Sequence, residues 1–377
     1  MNEANRFIRR TWLPTTAFMA ALLLGGARPG QAQVTPAAGH TPPDDTPSVK
    51  VGVVIYTDYT YTDKPTVQDA DKNTIHPNAF NVSRSYINVT GNLSHWVSFR
   101  VTPDVTRESG TGSSLNGSLT FRLKYAFGQV NFDDFLPHGS WARIGVQQTP
   151  YVDFMEGIYR YRFQGTIFAE REGFLSSSDF GLSGHLNFPG NYGDIHVGVY
   201  NGDTYSRAEP NDQKAFQIRG TLRPLPLGGT LKGLRLSGFY DADHYIKSGP
   251  RDRFIGSATF EHPRLNAGFD YLDGKDRTSI TAAEVKSNGW SVWGVPRFLT
   301  VGESKPGLEG LFRYDSLKPN KNVDARRHRL IVGLAYWFAF LRGPSAALLL
   351  DMDRATFDTP LNRPTDKRYS LHALFNF

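Results

Sequence analysis

The chain has 377 residues, no cysteine, 13% aromatic residues and a formal charge of +6. The lack of cysteine excludes a disulfide framework and a thiolate metal centre. A mean hydropathy of −0.40, with no apolar stretch of about 20 residues, excludes membrane-spanning helices but not spanning strands, in which only alternate side chains meet lipid.

Arg6, Arg9 and Arg10 precede a short apolar run, AFMAALLL over 17–24, and small residues lead to Ala32. This pattern predicts a secretory signal peptide over 1–32. Residues 33–48, rich in Pro, Thr and Asp, read as a flexible leader, so 49–377 is the folded domain. Cleavage after Ala32 removes four arginines and one glutamate, leaving 38 basic against 35 acidic residues. That excess gives no reason to expect nucleic acid as a partner, and any anion preference must come from where the charges sit.

From residue 49 onward, runs of about ten alternating apolar and polar residues are separated by turn signals. They predict strands near 49–61, 80–91, 95–106, 115–131, 139–148, 178–188, 192–201, 212–224, 230–243, 251–261, 264–272, 283–294, 306–317, 326–340, 344–356 and 367–377. The connections alternate long and short, with 295–305 as the exception. An even strand number, about sixteen, with long loops at one end and short turns at the other is the pattern of an all-β transmembrane antiparallel barrel in a bacterial outer membrane. A barrel this wide encloses water.

Alternation assigns the faces. Leu115, Gly117, Leu119, Phe121, Leu123, Tyr125 and Phe127 are expected to meet lipid, and Arg122 and Lys124 the lumen. The same logic turns Val97, Phe99, Val101, Ala142, Ile144, Val146, Phe216, Ile218 and Leu222 outward, and Arg100, Arg143, Arg219 and Arg223 inward. Guanidinium does not deprotonate, so a row of lumenal Arg and Lys favours small anions among the polar solutes that such a channel passes.

About thirty residues between the fifth and sixth strands break the pattern, and a connection this long is rarely idle. It is the third outer loop, predicted to fold into the lumen. Tyr151 and its aromatic neighbours would pack it on the wall. Asp153, Glu156, Arg160, Arg162, Glu170, Arg171 and Glu172 would crowd the passage. At the far end, Tyr369, Leu371, Phe375 and Phe377 alternate with polar residues, giving a closing strand that ends on an aromatic side chain. That pattern resembles the signal read by the barrel assembly machinery.

Three stretches carry a wider resemblance: GSWARIGVQQTPYVDFMEGIYRYRFQGTIFAEREGFLSSSDFG (139–181), GWSVWGVPRFLTVGE (289–303) with LEGLFRYDSL (308–317), and RSYINVTGNLSHWVSFRVTPDV (84–105). They resemble the phosphate-selective porin O and P family. The resemblance implies a sixteen-stranded barrel, a homotrimer and passive anion uptake past an arginine ladder and a lysine cluster. The chain departs from that pattern: 149–177 holds Arg160, Arg162 and Arg171 but no lysine, with four carboxylates among them.

Other chemistries are weaker. Ser183 and His185 share a strand face, but no acid stands nearby in the sequence to orient the pair, so an outer-membrane enzyme is the lesser alternative, with a plugged structural or adhesive barrel beside it. Asp241, Asp243 and His244 read as solvated loop polarity rather than a metal site. No cofactor motif is present.

Overall fold

The computed structural model describes residues 45–110, 112–302, 305–339 and 345–377. The expected signal peptide and most of the leader lie outside these residues. Sixteen strands form the barrel: β1 (Ser48–Lys64), β2 (Asn78–Asn92), β3 (Val97–Arg107), β4 (Leu119–Asn131), β5 (Trp141–Gln148), β6 (Ser178–Asn187), β7 (Gly193–Tyr200), β8 (Ala215–Leu222), β9 (Leu234–Ala242), β10 (Gly249–His262), β11 (Leu265–Asp276), β12 (Val285–Leu299), β13 (Gly307–Lys318), β14 (Arg327–Trp337), β15 (Ser345–Phe357) and β16 (Asp366–Asn376). Each pairs antiparallel with the next, and β16 pairs back onto β1 from Val54↔Asn376 to Lys64↔Lys367. Closure leaves no free sheet edge, so every backbone ladder is satisfied within the hydrocarbon.

The strands form because β-branched and aromatic residues alternate with polar ones, which suits a pleated surface buried on one side. Phe121, Ile144 and Leu350 point outward and are exposed, while their polar neighbours turn inward. The long connections gather at the outer end and the shorter ones at the periplasmic end. The expected exception at 295–305 shrinks, because β12 runs on to Leu299 and Gly302 bridges Lys305 just beyond. Ser48 already belongs to β1, and Asp45 before it bonds His95 in the β2–β3 turn, so the end of the leader is tied down.

The β4 expectation needs two corrections. The strand starts at Leu119, so Leu115 and Gly117 lie in the preceding loop. Tyr125 and Phe127 are buried inside the barrel rather than facing lipid. The reason is a bulge: Thr102 pairs with Tyr125 and Pro103 with Leu123, leaving Lys124 as an extra residue. Pro103 has no N–H to donate to the ladder, and one extra residue reverses every later side chain. Val146 also departs from expectation, since it is covered while Ile144 beside it is exposed.

Candidate pore and its constriction

Residues 149–177 lie inside the barrel. Helix α1 (Val152–Tyr159) buries Val152, Met155, Ile158 and Tyr159, a stripe at helical spacing. These residues pack with Phe239, Ile255, Leu272, Trp293, Leu311, Ile331 and Trp337 on inward faces of β9–β14. Arg160 closes the helix in the left-handed conformation at φ 63°. A second short helix, α2 (Phe168–Arg171), buries Phe168 and Ala169.

Buried polar ties fix this inner loop. The Tyr151 hydroxyl donates to Asp270 Oδ1 at 2.8 Å, and the Tyr161 hydroxyl to Glu309 Oε2 at 2.7 Å. Glu309 also accepts from Arg160 at 3.0 Å, Arg297 at 2.9 Å and Trp337 Nε1 at 3.1 Å. Arg313 donates to the Thr166 carbonyl at 2.7 Å and Asn266 to the Ile158 carbonyl at 3.0 Å. Arg171 pairs with Asp353 at 3.3 Å, and Glu172 with Arg327.

The loop charges therefore do not all crowd the passage as expected. Arg160, Arg171 and Glu172 hold the loop to the wall. Glu156 and Glu170 both pair with Arg162, the latter at 2.8 Å. Burial pushes the Glu170 carboxyl up, but the Arg162 guanidinium outweighs it and keeps Glu170 below the usual carboxylate range. Asp153 is exposed and faces two cavities on the periplasmic side. A cavity of 490 Å³ on the outer side and one of 410 Å³ on the periplasmic side both include Tyr56 and Arg162 in their walls. Tyr56 and Arg162 therefore stand between the outer and the periplasmic cavity.

Opposite the loop, β2–β8 present the expected cations. Arg122 shares Asp104 with Arg84, at 3.1 and 2.7 Å. Arg219 pairs with Asp194. The other four have no carboxylate partner among the described residues. Arg100 bonds Asn88 at 2.8 Å and lies 4.5 Å from the Tyr125 ring centre. Lys124 lies 4.8 Å from the Tyr86 ring centre. Arg143 bonds Gln129 at 2.6 Å and lies 4.6 Å from the Phe127 ring and 3.7 Å from the Trp141 ring. Arg223 bonds Asn191. Rings and neutral amides hold these charges without cancelling them.

Sequence reading missed Tyr56, Tyr86, Arg84 and Tyr205. Tyr205 comes from the β7–β8 loop, which has no periodicity to flag it; its ring lies 4.6 Å from the Arg122 guanidinium. Glu309 lies in a stretch already noted, but it shares its strand face with Leu311, so alternation does not mark it as lumenal. The Ser183–His185 pair does not assemble a nucleophile. Ser183 bonds Gln147, while His185 meets Asp194 at 3.1 Å through Nε2 and the Gly139 carbonyl at 3.1 Å through Nδ1. Asp241 and Asp243 are buried rather than solvated, with Asp243 against Arg251.

No protein-family model and no curated protein matches this chain. Solved structures do match. The anion-selective porin from Comamonas acidovorans aligns at TM-score 0.57 and 11% identity over 88% of this chain and 100% of that one. The trimer form of in-vitro folded OmpT, an outer membrane protein of Vibrio cholerae, aligns at 0.55 and 11% over 88% and 100%. The fold is that of an outer-membrane porin barrel. Pseudomonas putida OprB, at TM-score 0.55 and 9% identity over 87% and 94%, has it too. Among the described residues no helix is long and apolar enough to cross a membrane, and the chain crosses the bacterial outer membrane with strands.

Proposed function

We propose that this barrel is a passive diffusion channel for small hydrophilic solutes with a modest preference for anions. The observation that carries the reading is the set of lumenal cations, Arg100, Lys124, Arg143 and Arg223, held by rings and amides instead of carboxylates. Fixed positive charge in a narrow wet passage raises the local anion concentration. The resemblance to the phosphate-selective porin O and P family adds phosphate as a candidate, and a guanidinium fork suits two of its oxygens. The lysine-free inner loop argues for breadth over strict phosphate selection.

Assembly as a homotrimer is part of the same reading, supported by the resemblance and by the trimer form of the Vibrio cholerae barrel. So is recognition of the last strand by the assembly machinery: Tyr369, Leu371, Phe375 and Phe377 are all exposed on the outer face or end of β16. No chemistry on the solute is invoked, and Ser183 and His185 serve as lumen lining. The test is the reversal potential across a salt gradient, in chloride and then in phosphate. A potential favouring the anion in both salts is expected; a cation preference would overturn the reading.

A further inference from the structure

The periplasmic side of the inner loop contains a chamber of 410 Å³ whose wall includes Arg143, Arg219, Arg223, Arg235, His196 and Trp141. Two of these arginines are neutralised, Arg219 by Asp194 and Arg235 by Glu261. Arg160 and Arg162 at the loop side of the chamber are likewise paired, with Glu309 and Glu156. Among the described residues the side-chain hydrogen-bond partners of Arg143 and Arg223 are amides, Gln129, Gln148 and Asn191, with no carboxylate ion pair. Asp153, with no ion pair among the described residues, is the one facing carboxylate left to offset them.

Two buried nitrogens in this wall are unused. Among the described residues Arg223 Nε, a donor, and His196 Nε2, a donor in the tautomer that protonates it, have no hydrogen-bond partner, and both residues are more than nine-tenths buried. A buried donor without an acceptor costs free energy that an incoming oxyanion recovers. The chamber also includes the half-buried ring of Phe154 in its wall. Its volume is that of a small-organic-ligand pocket, about 300–1,000 Å³, where apolar walls and a few placed polar groups set specificity. A compact inorganic oxyanion would leave most of it to water.

The geometry points to a saturable binding site for an organic anion: a carboxylate received by Arg223 and His196, with an apolar, ring-sized body against Phe154, and Arg143 adding long-range attraction. This deepens the proposed function, resting on its wet, anion-accessible lumen, and goes past it by giving the solute a site and a chemical class.

The test is chloride conductance of the purified full chain in planar bilayers, with sodium benzoate and then sodium phosphate added. Benzoate is expected to reduce the chloride current along a saturating curve, and phosphate to act only at much higher concentration. Arg223→Gln and Arg143→Gln should each weaken the benzoate block, Arg223→Gln by about tenfold, the value of one charge-assisted hydrogen bond. Arg223→Lys should fall between, since it keeps the charge and loses the fork. A benzoate effect that never saturates, or one unchanged in both glutamine variants, overturns the site. Equal block by phosphate overturns the organic class. Anion-favouring reversal potentials without benzoate saturation sink this inference alone, whereas a cation preference sinks the reading beneath it.

Discussion

The Arg100 guanidinium lies 4.5 Å from the centre of the Tyr125 ring, a contact that depends on one extra residue in β4. Without the bulge at Lys124, Tyr125 and Phe127 would face lipid, Arg100 would lose its ring and Arg143 one of its two. Charge that is held but not neutralised is the basis of the anion preference, and the paired Arg219 is its built-in control. Arg143→Gln should lower the anion-to-cation permeability ratio with little loss of stability. Removing the whole neutral pair, Arg219→Gln with Asp194→Asn, should leave the ratio nearly unchanged, whereas Arg219→Gln alone should destabilise the barrel by roughly 3 kcal/mol, because Asp194 stays behind in a buried site. Reversal potentials and denaturant unfolding in micelles check the two arms.

Glu309 is the main clamp of the inner loop, accepting from Arg160, Tyr161, Arg297 and Trp337. Glu309→Ala leaves two guanidinium groups and two donors without their acceptor, a loss of about 3–5 kcal/mol. The expected outcome is a noisier channel of higher mean conductance and earlier unfolding. Quiet, wild-type-like current from a folded Glu309→Ala barrel would show that the loop is held elsewhere.

Two inward glycines act as sockets for loop rings. A Cβ on Gly289 would sit 2.8 Å from Phe168 and 2.7 Å from the Ser316 carbonyl, and one on Gly274 would sit 2.8 Å from Phe174. Gly289→Ala should therefore overpack the contact between α2 and the wall, costing about 1–3 kcal/mol. A drop in unfolding midpoint measures it, and Gly220→Ala, which meets nothing within 4 Å, should cost far less.

At the periplasmic rim, hydrogen bonding to Asp45 and then to Asp134 raises the His95 pKa above its ordinary 6.5. The raised value means that the tie is fully present below about pH 6.5 and is lost as pH climbs through the native-state pKa. An imidazole titration by NMR in micelles should place His95 above the ordinary value, and Asp134→Asn should bring it down. An unchanged midpoint in that variant would remove Asp134 from the contact.

Much of the fold was legible from period-two alternation, because a two-sided environment of lipid and water writes itself onto each second residue. All sixteen strands lie within a few residues of expectation. What alternation could not supply is anything that breaks it. Lys124 reads as one more inward residue until its pairing with β3 exposes the bulge. The lumenal face of β9–β14 carries Phe239, Leu272, Trp293 and Leu311 at positions that the lipid-and-water rule reserves for polar groups. Their reason is the inner loop, a partner about a hundred residues away in sequence that no local pattern reveals. The cations themselves could be named from the sequence, yet whether each met a carboxylate depended on neighbours across the strands: Asp194 for Arg219, but only Gln129 and Gln148 for Arg143.

The central claim is that an aqueous passage survives beside the packed inner loop, joining the two cavities that share Tyr56 and Arg162. Single-channel recording of the purified chain in planar bilayers tests it most directly. Discrete open-channel steps, scaling with bulk salt conductivity, are the predicted result. A silent bilayer containing correctly inserted barrel would contradict it and leave a sealed lumen.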